Sequence, residues 1–312
     1  MKTKIYIITS LIFIVLITAC EKSVIPDRTK IAEGARICFI NLSADGVTAS
    51  ITNEMNLYFG GNKVTSQQSL VTNRLRGIPF RSSYPGVVTP VPTATTAPTS
   101  YIGAEYFVTA PAVTNVVAKD TTITAPAVQT TWFDTTFTFE KDKYYSIFAM
   151  GLRAAMHPII VEDNIIPFTT VNKTKIRVVN ALYGVAGGKV DIWIVHQPAT
   201  TSEAIAPYKL ASGIDYKSVT AFSDTISSGV YKWTVTIAGS VPTAITPPTV
   251  PTTGKAYTLT FAAANVLIAQ AAGTGVGTTF AQRTTYSLLI FGQFGKTGVV
   301  APFGNFFRNR LL

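Results

Sequence analysis

Histidine and cysteine are nearly absent from this chain. Its 312 residues include 2 of each, with 4 methionines and 3 tryptophans. Two cysteines cannot build a disulfide framework. His157 precedes Pro158, and His196 closes an apolar run. Neither stands in the paired spacing that zinc sites use, so no metal is expected. The GxSxG pattern does not occur, which removes a nucleophile elbow. The 16 acidic residues are dispersed, and no spacing nominates the carboxylate pair of a glycosidase. "GTGVG" at 273–277 is followed by strand-like "TTFAQRTTYSLLIF", where a phosphate loop requires a helix. It reads as a glycine turn. These absences predict a protein that is not an enzyme and takes no cofactor.

Charge is scarce as well. Charged residues make up 13% of the chain, against about 25% in ordinary soluble domains. The formal net charge is +10; removing Lys2 and Lys4 would leave +8. The bases are scattered, apart from Arg308–Arg310 ("RNR") and Arg74, Arg76 and Arg81. No nucleic-acid motif accompanies them, so no nucleic-acid partner is expected.

What the chain does have begins at its N-terminus. Lys2 and Lys4 precede an apolar run over 5–18 that is short for a membrane span, which takes about 20 residues. "LITAC" at 16–20 then places small Ala19 directly before Cys20. This resembles the lipobox of bacterial lipoproteins. The resemblance implies a signal peptide over 1–19, cleavage before Cys20 and a diacylglycerol on the Cys20 thiol. A lipid with two chains suffices for stable anchoring. The expected location is the cell outer membrane, with membrane contact through the N-terminal lipid on the periplasmic face or the cell surface. Residues 20–34 read as a lipidated N-terminus and polar tether. Cys38, in apolar "ICFI", then reads as a small buried hydrophobe.

Helical periodicity is missing downstream of the tether, and strand-like runs are abundant. In "VYKWTVTIAG" (230–239), Tyr231, Trp233, Val235 and Ile237 share one face and Lys232, Thr234 and Thr236 the other. A period of two with one apolar face predicts a half-buried strand. Many short strands punctuated by Gly, Pro, Asn and Asp predict a sandwich.

The strands also repeat in order. "ARICFINLSADG" (35–46) is echoed by "TKIRVVNALYG" (174–184), and "MNLYFGG" (55–61) by "VDIWIV" (190–195). "LRGIPFRSSYPG" (75–86) answers "LASGIDYKSVTAF" (210–222), and "GAEYFVT" (103–109) answers "GVYKWTVTIAG" (229–239). The last correspondence sets 139–151 against 252–264. The fold expected is therefore all-β, with two tandem immunoglobulin-like antiparallel β-sandwich domains. The first spans 35–157 and carries Pro/Thr-rich loops; 158–173 is a linker; the second spans 174–312. Proline cannot donate to a ladder, so the Pro/Thr/Ala-rich stretches 87–100, 109–131 and 240–253 belong to loops and edges.

An Arg-Val-Val-Asn strand, a turn and a Val-Asp-apolar-aromatic strand together resemble the DUF4397 domain, common in cell-envelope proteins of Bacteroidetes and other bacteria. Residues 176–195 match at Arg177–Asn180 and Val190–Trp193, and 208–235 resemble the next segment, with Tyr216, Gly229 and Tyr231 in its rhythm. The first copy is more diverged: it keeps Asn41 and Asp45 but has Asn56 for the aspartate. The family implies an immunoglobulin-like sandwich and no reaction.

Within the motif, Asn41 and Asn180 are expected to leave a strand through an Asx-turn. Asp191 is expected on the polar face or bonded to a turn. Trp132, Trp193 and Trp233 are candidates for stacking on a sugar ring, although aromatics more often fill cores. "DTT" at 120–122, "DTT" at 134–136 and "DTI" at 224–226 resemble the Bacteroidetes O-glycosylation acceptor and nominate Thr121, Thr135 and Thr225. The function expected is a non-enzymatic structural, binding or adhesion role in the envelope, with a polysaccharide or another envelope protein as partner. The alternative is a glycan-binding surface lipoprotein accessory to polysaccharide uptake.

Overall fold

The computed structural model describes residues 33–44, 55–65, 67–68, 75–76, 83–84, 106–120, 130–164, 168–198, 205–223, 226–248, 256–269, 278–297 and 301–311. Strands dominate throughout, and the helical elements among the described residues are three short 3-10 turns. The protein is all-β and built from sandwiches, as expected.

Each half contains two facing sheets. In the first half, Met55–Phe59 pairs with Val113–Asp120, which pairs with Thr131–Thr138, forming an outer sheet. The inner sheet has Ala35–Ser43 beside Tyr144–Gly151, with His157–Glu162 at its edge. The second half repeats the plan. Lys189–Gln197 and Gly229–Ile237 form the centre of its outer sheet. Lys173–Tyr183, Thr284–Gln293 and Phe303–Leu311 form its inner sheet.

The two halves are not spaced apart. Their inner sheets pack against each other, so the molecule is a stack of four sheets with three apolar layers between them. Successive residues of an inner strand therefore enter different cores. Ile37 and Phe39 face the first sandwich interior, while Cys38, Ile40 and Leu42 face the seam. In the second half Ile176 and Val178 face the interior, while Val179 and Ala181 face the seam. Burial on both faces requires near-continuous apolar runs, which is also the usual setting for parallel pairing. Two parallel pairs do occur here: Ala35–Ser43 with Tyr144–Gly151, and Lys173–Tyr183 with Thr284–Gln293. The purely antiparallel expectation is corrected at these two pairs.

Three further expectations shift. Residues 158–162 of the expected linker belong to the edge strand His157–Glu162, where the missing N–H of Pro158 is tolerated. The counterpart of Tyr144–Gly151 is Thr284–Gln293, not 252–264, since each pairs in parallel with the opening strand of its half. The counterpart of Gly229–Ile237 is Val113–Asp120, which occupies the same place beside Met55–Phe59. A matching detail supports the new alignment. The Tyr145 hydroxyl accepts the Glu140 amide at 3.1 Å, and the Tyr286 hydroxyl accepts the Ala281 amide at 3.0 Å.

Polar groups cross the seam at a few points. The Arg177 guanidinium meets the Asp163 carboxylate at 2.6 Å, with both side chains out of water. Arg177 also donates to Ser146 at 2.9 Å and to Ser287 at 2.7 Å. Ser146 and Tyr106 each donate to Asp163 at 2.8 Å. Phe148 and Phe222 lie against the guanidinium, 5.2 and 4.8 Å from their ring centroids. Farther along, Lys217 donates to the Ala155 carbonyl at 2.9 Å.

Breaking a buried pair by removing one partner typically costs about 3–5 kcal/mol. Asp163→Ala is therefore expected to lower the free energy of urea unfolding by about that amount. In the unmodified protein the shared seam core predicts one transition. Fluorescence from Trp132, Trp193 and Trp233 should change together with far-UV circular dichroism; separated midpoints would show that the halves unfold independently.

Candidate functional site

The strand pattern places Asp191 in the middle of Lys189–Gln197, on its outward face, yet the side chain is fully buried. Its carboxylate accepts from Lys209 at 2.8 Å, Ser212 at 3.0 Å, and the Gly213 and Gly239 amides at 2.7 and 3.0 Å. Burial alone would push this carboxyl up. The bonds from Lys209, the two glycine amides and Ser212 outweigh it and hold the group below the ordinary aspartate value. Its role is structural: it fastens the irregular strand Tyr208–Asp215 and the turn at Gly239 to the outer sheet. Asn56 holds the equivalent place in the first half, accepting from Thr65 at 3.3 Å.

Asn41 and Asn180 use their side chains as expected, but from a different location. Each lies inside a strand and is fully buried. Each Oδ1 accepts the amide two residues on, at 3.1 Å. Asn180 also donates to the Ile214 carbonyl at 2.9 Å, which ties the two sheets of its sandwich together.

An open concavity lies along the side of the second sandwich. It is a cleft of about 510 Å³ whose lining includes Lys173, Tyr208, Leu210, Ile226, Ser227 and Tyr231. Lys173 donates to Ser227 Oγ at 3.3 Å, and the Tyr231 hydroxyl donates to the Ser227 carbonyl at 2.9 Å. Burial raises both tyrosine hydroxyls above their ordinary value, so both stay protonated at neutral pH. The lining contributes one ammonium group and no carboxylate. Such a surface can hold a ligand but has no paired acid and base.

His196 packs at a tilt against Tyr231, with ring centroids 5.0 Å apart. Its Nδ1 is buried with no hydrogen-bond partner. The chain passes close beside it at Gly229, whose φ is +148°, and a Cβ there would sit 3.0 Å from His196 Nε2. Burial lowers the imidazole below its ordinary pKa.

The tryptophans do not form a platform. Trp132 is buried in the first sandwich core beneath Arg153, whose guanidinium lies 4.9 Å from the ring. Trp233 is buried in the second core, donating to Thr278 and packing on Phe306. Trp193 lies on the opposite face of the outer sheet, under Phe261 and Lys209. All three are less than 10% exposed, so the stacking expectation is corrected: these rings fill space between strands.

Cys20, Thr121 and Thr225 lie outside the described residues, as does 273–277. Thr135 sits in Thr131–Thr138, half-buried and paired with Val116. His157 is exposed at the start of its strand. Among the described residues, no group of three or more His, Cys, Asp or Glu side chains could hold a metal.

No family model matches this chain, and no curated protein matches it. Among solved structures it is similar to a "putative cell adhesion protein" from Bacteroides uniformis, at 13% identity. That similarity covers 88% of this chain and 97% of the other, with a TM-score of 0.17. At that score the likeness bears no weight for fold or function.

The polar residues that matter most were not nominated from sequence as a group. Arg177 stands in the sequence as a charge between apolar Ile176 and Val178, and Asp163 as a carboxylate before "NII". Ser146 and Ser287 carried no signal, since serine on a strand is ordinary.

The buried imidazole makes a signed prediction. A histidine with a lowered folded pKa binds fewer protons folded than unfolded, so stability rises with pH across that window. The stability tied to His196 is present above its unfolded pKa, near 6.5, and is lost as pH falls below it. His196→Gln should flatten the dependence of unfolding free energy on pH between neutral and mildly acid conditions. An unchanged slope would show that His196 is not the responsible group.

Proposed function

We propose that this is a lipid-anchored protein of the bacterial cell envelope with a non-enzymatic structural or adhesive role. In this reading residues 1–19 are a signal peptide, and Cys20 carries the lipid that holds the protein at the outer membrane. The tether ends near Gly34, where the four-sheet stack begins. The two copies are the domains of a DUF4397-type envelope protein, with a polysaccharide or another envelope protein as partner.

One observation carries the non-enzymatic part. The buried charged and polar side chains with the most bonds, Arg177, Asp163 and Asp191, spend those bonds on other elements of the protein. A reactive group must also be open to a substrate, and these three are buried by the chain itself. Here the satisfied network fixes shape, which suits a rigid spacer or a binding surface. The tryptophans favour no glycan platform, because each is covered by its own chain.

The test is fractionation and labelling of cells producing the full protein. Metabolic labelling with a fatty-acid analogue should mark the protein, and Cys20→Ala should remove the label and release the protein from the membrane pellet. Retention of Cys20→Ala in the pellet would overturn the tether. Purified Cys20→Ala incubated with envelope polysaccharides and peptides should leave them chemically unchanged by mass spectrometry; any turnover would overturn the non-enzymatic reading.

A further inference from the structure

The two faces that meet at the seam are equivalent by the repeat. Cys38 aligns with Ser146, and Arg177 aligns with Ser287, across corresponding parallel pairs. Cys38 therefore occupies the place of Arg177. Across the neighbouring antiparallel pairs, Ser146 aligns with Val161 and Ser287 with Phe307. Two residues on, Asp163 therefore occupies the place of Asn309. The hydrogen bonds agree: Ser146 donates to Asp163 at 2.8 Å, and Ser287 donates to Asn309 at 2.8 Å.

The apolar parts of the two faces are alike. Ile40 and Leu42 with Phe148 and Met150 meet their counterparts Val179 and Ala181 with Leu289 and Phe291. The charges are not alike. In the buried ion pair, the cation Arg177 belongs to the second half and the anion Asp163 to the first.

We propose that this asymmetry is a pairing code: each inner face accepts the other half and rejects a second copy of itself. Apolar complementarity alone would allow like halves from two chains to pair, because the faces are near-equivalent. The charges forbid it. Two second halves would bury two guanidinium groups facing asparagine. Two first halves would bury two carboxylates with Cys38 where an arginine is needed. The apolar contact is similar in like and unlike pairings, so the uncompensated buried charges decide between them. Specificity here comes from what the wrong pairing would bury.

The experiment refolds the full chain from urea, over a wide range of protein concentration, and reads mass by chromatography with light scattering. The unmodified protein should return as monomer at every concentration. Two neutral-seam variants, Asp163→Asn with Arg177→Met and Asp163→Asn with Arg177→Gln, should refold and yield dimers whose share rises several-fold with concentration. Neutralising the exposed pair Lys189–Asp215, whose groups lie 3.3 Å apart, should leave a monomer. If both neutral-seam variants refold only to monomer, the code does not exist. If neither refolds, the pair supplies stability and not choice of partner, which also overturns the proposal. Dimers in the Lys189–Asp215 variant would show that any charge loss produces them and would overturn it too.

Discussion

The Arg177 guanidinium lies against the Asp163 carboxylate between the inner sheets, with neither group in water. Burying two ions is costly, and their attraction repays that cost only when the remaining donors and acceptors are also satisfied. Ser146, Ser287 and Tyr106 supply hydrogen bonds, the guanidinium itself faces Asp163 Oδ1, and Phe148 and Phe222 flank the cation. Burial and the neighbouring Asp163 charge both push the Tyr106 hydroxyl up, so it remains a donor. The network draws on both inner sheets and on the strand edge at Asp163. It therefore fixes how the halves stack, while the apolar residues around it supply most of the adhesion. Burying a side chain such as Phe291 or Leu289 stabilises by about 1.5–3 kcal/mol each.

Stacking explains what the sequence could and could not disclose. Tyr231–Val235 alternates because one face is core, so a period of two marks it as a strand. Ala35–Ser43 and Thr284–Gln293 do not alternate, because almost every residue is buried. Such runs read as strands, but nothing in them says that the second buried face belongs to the other half. The repeat was legible at its opening, where Asn41 and Asn180 mark the same strand. It slipped at the end because the Thr/Pro-rich insertions supply many strand-like decoys. The Tyr145 and Tyr286 anchors, each bonded to an amide five residues earlier, set the true alignment.

The candidate site was less legible than the fold. Tryptophan content suggested a stacking surface, but residue type alone does not say which face of a strand a ring occupies. Trp132 and Trp233 point inward, and Trp193 is covered by Phe261. Asp191 was visible as a motif residue. Two of its four bonds come from the Gly213 and Gly239 amides, at residues whose φ values are +62° and +82°. That geometry belongs to the turns and cannot be read from spacing.

The divergence of the first copy has a physical reading in the same terms. Where the second copy carries Arg177 in its Arg-Val-Val-Asn strand, the first carries Cys38, and both positions open onto one seam. A second arginine there would have to share Asp163 or find another carboxylate. The position equivalent to Asp163 holds Asn309, already bonded to Ser287. A small, weakly polar thiol fills the space without adding charge, and so leaves the single ion pair balanced. Away from the seam the copies keep more of their common plan: Asn41 and Asn180 make the same bond, and Asn56 stands in for Asp191 as a buried acceptor. The motif is thus altered where the halves touch, because two identical faces carrying one kind of charge could not be buried against each other.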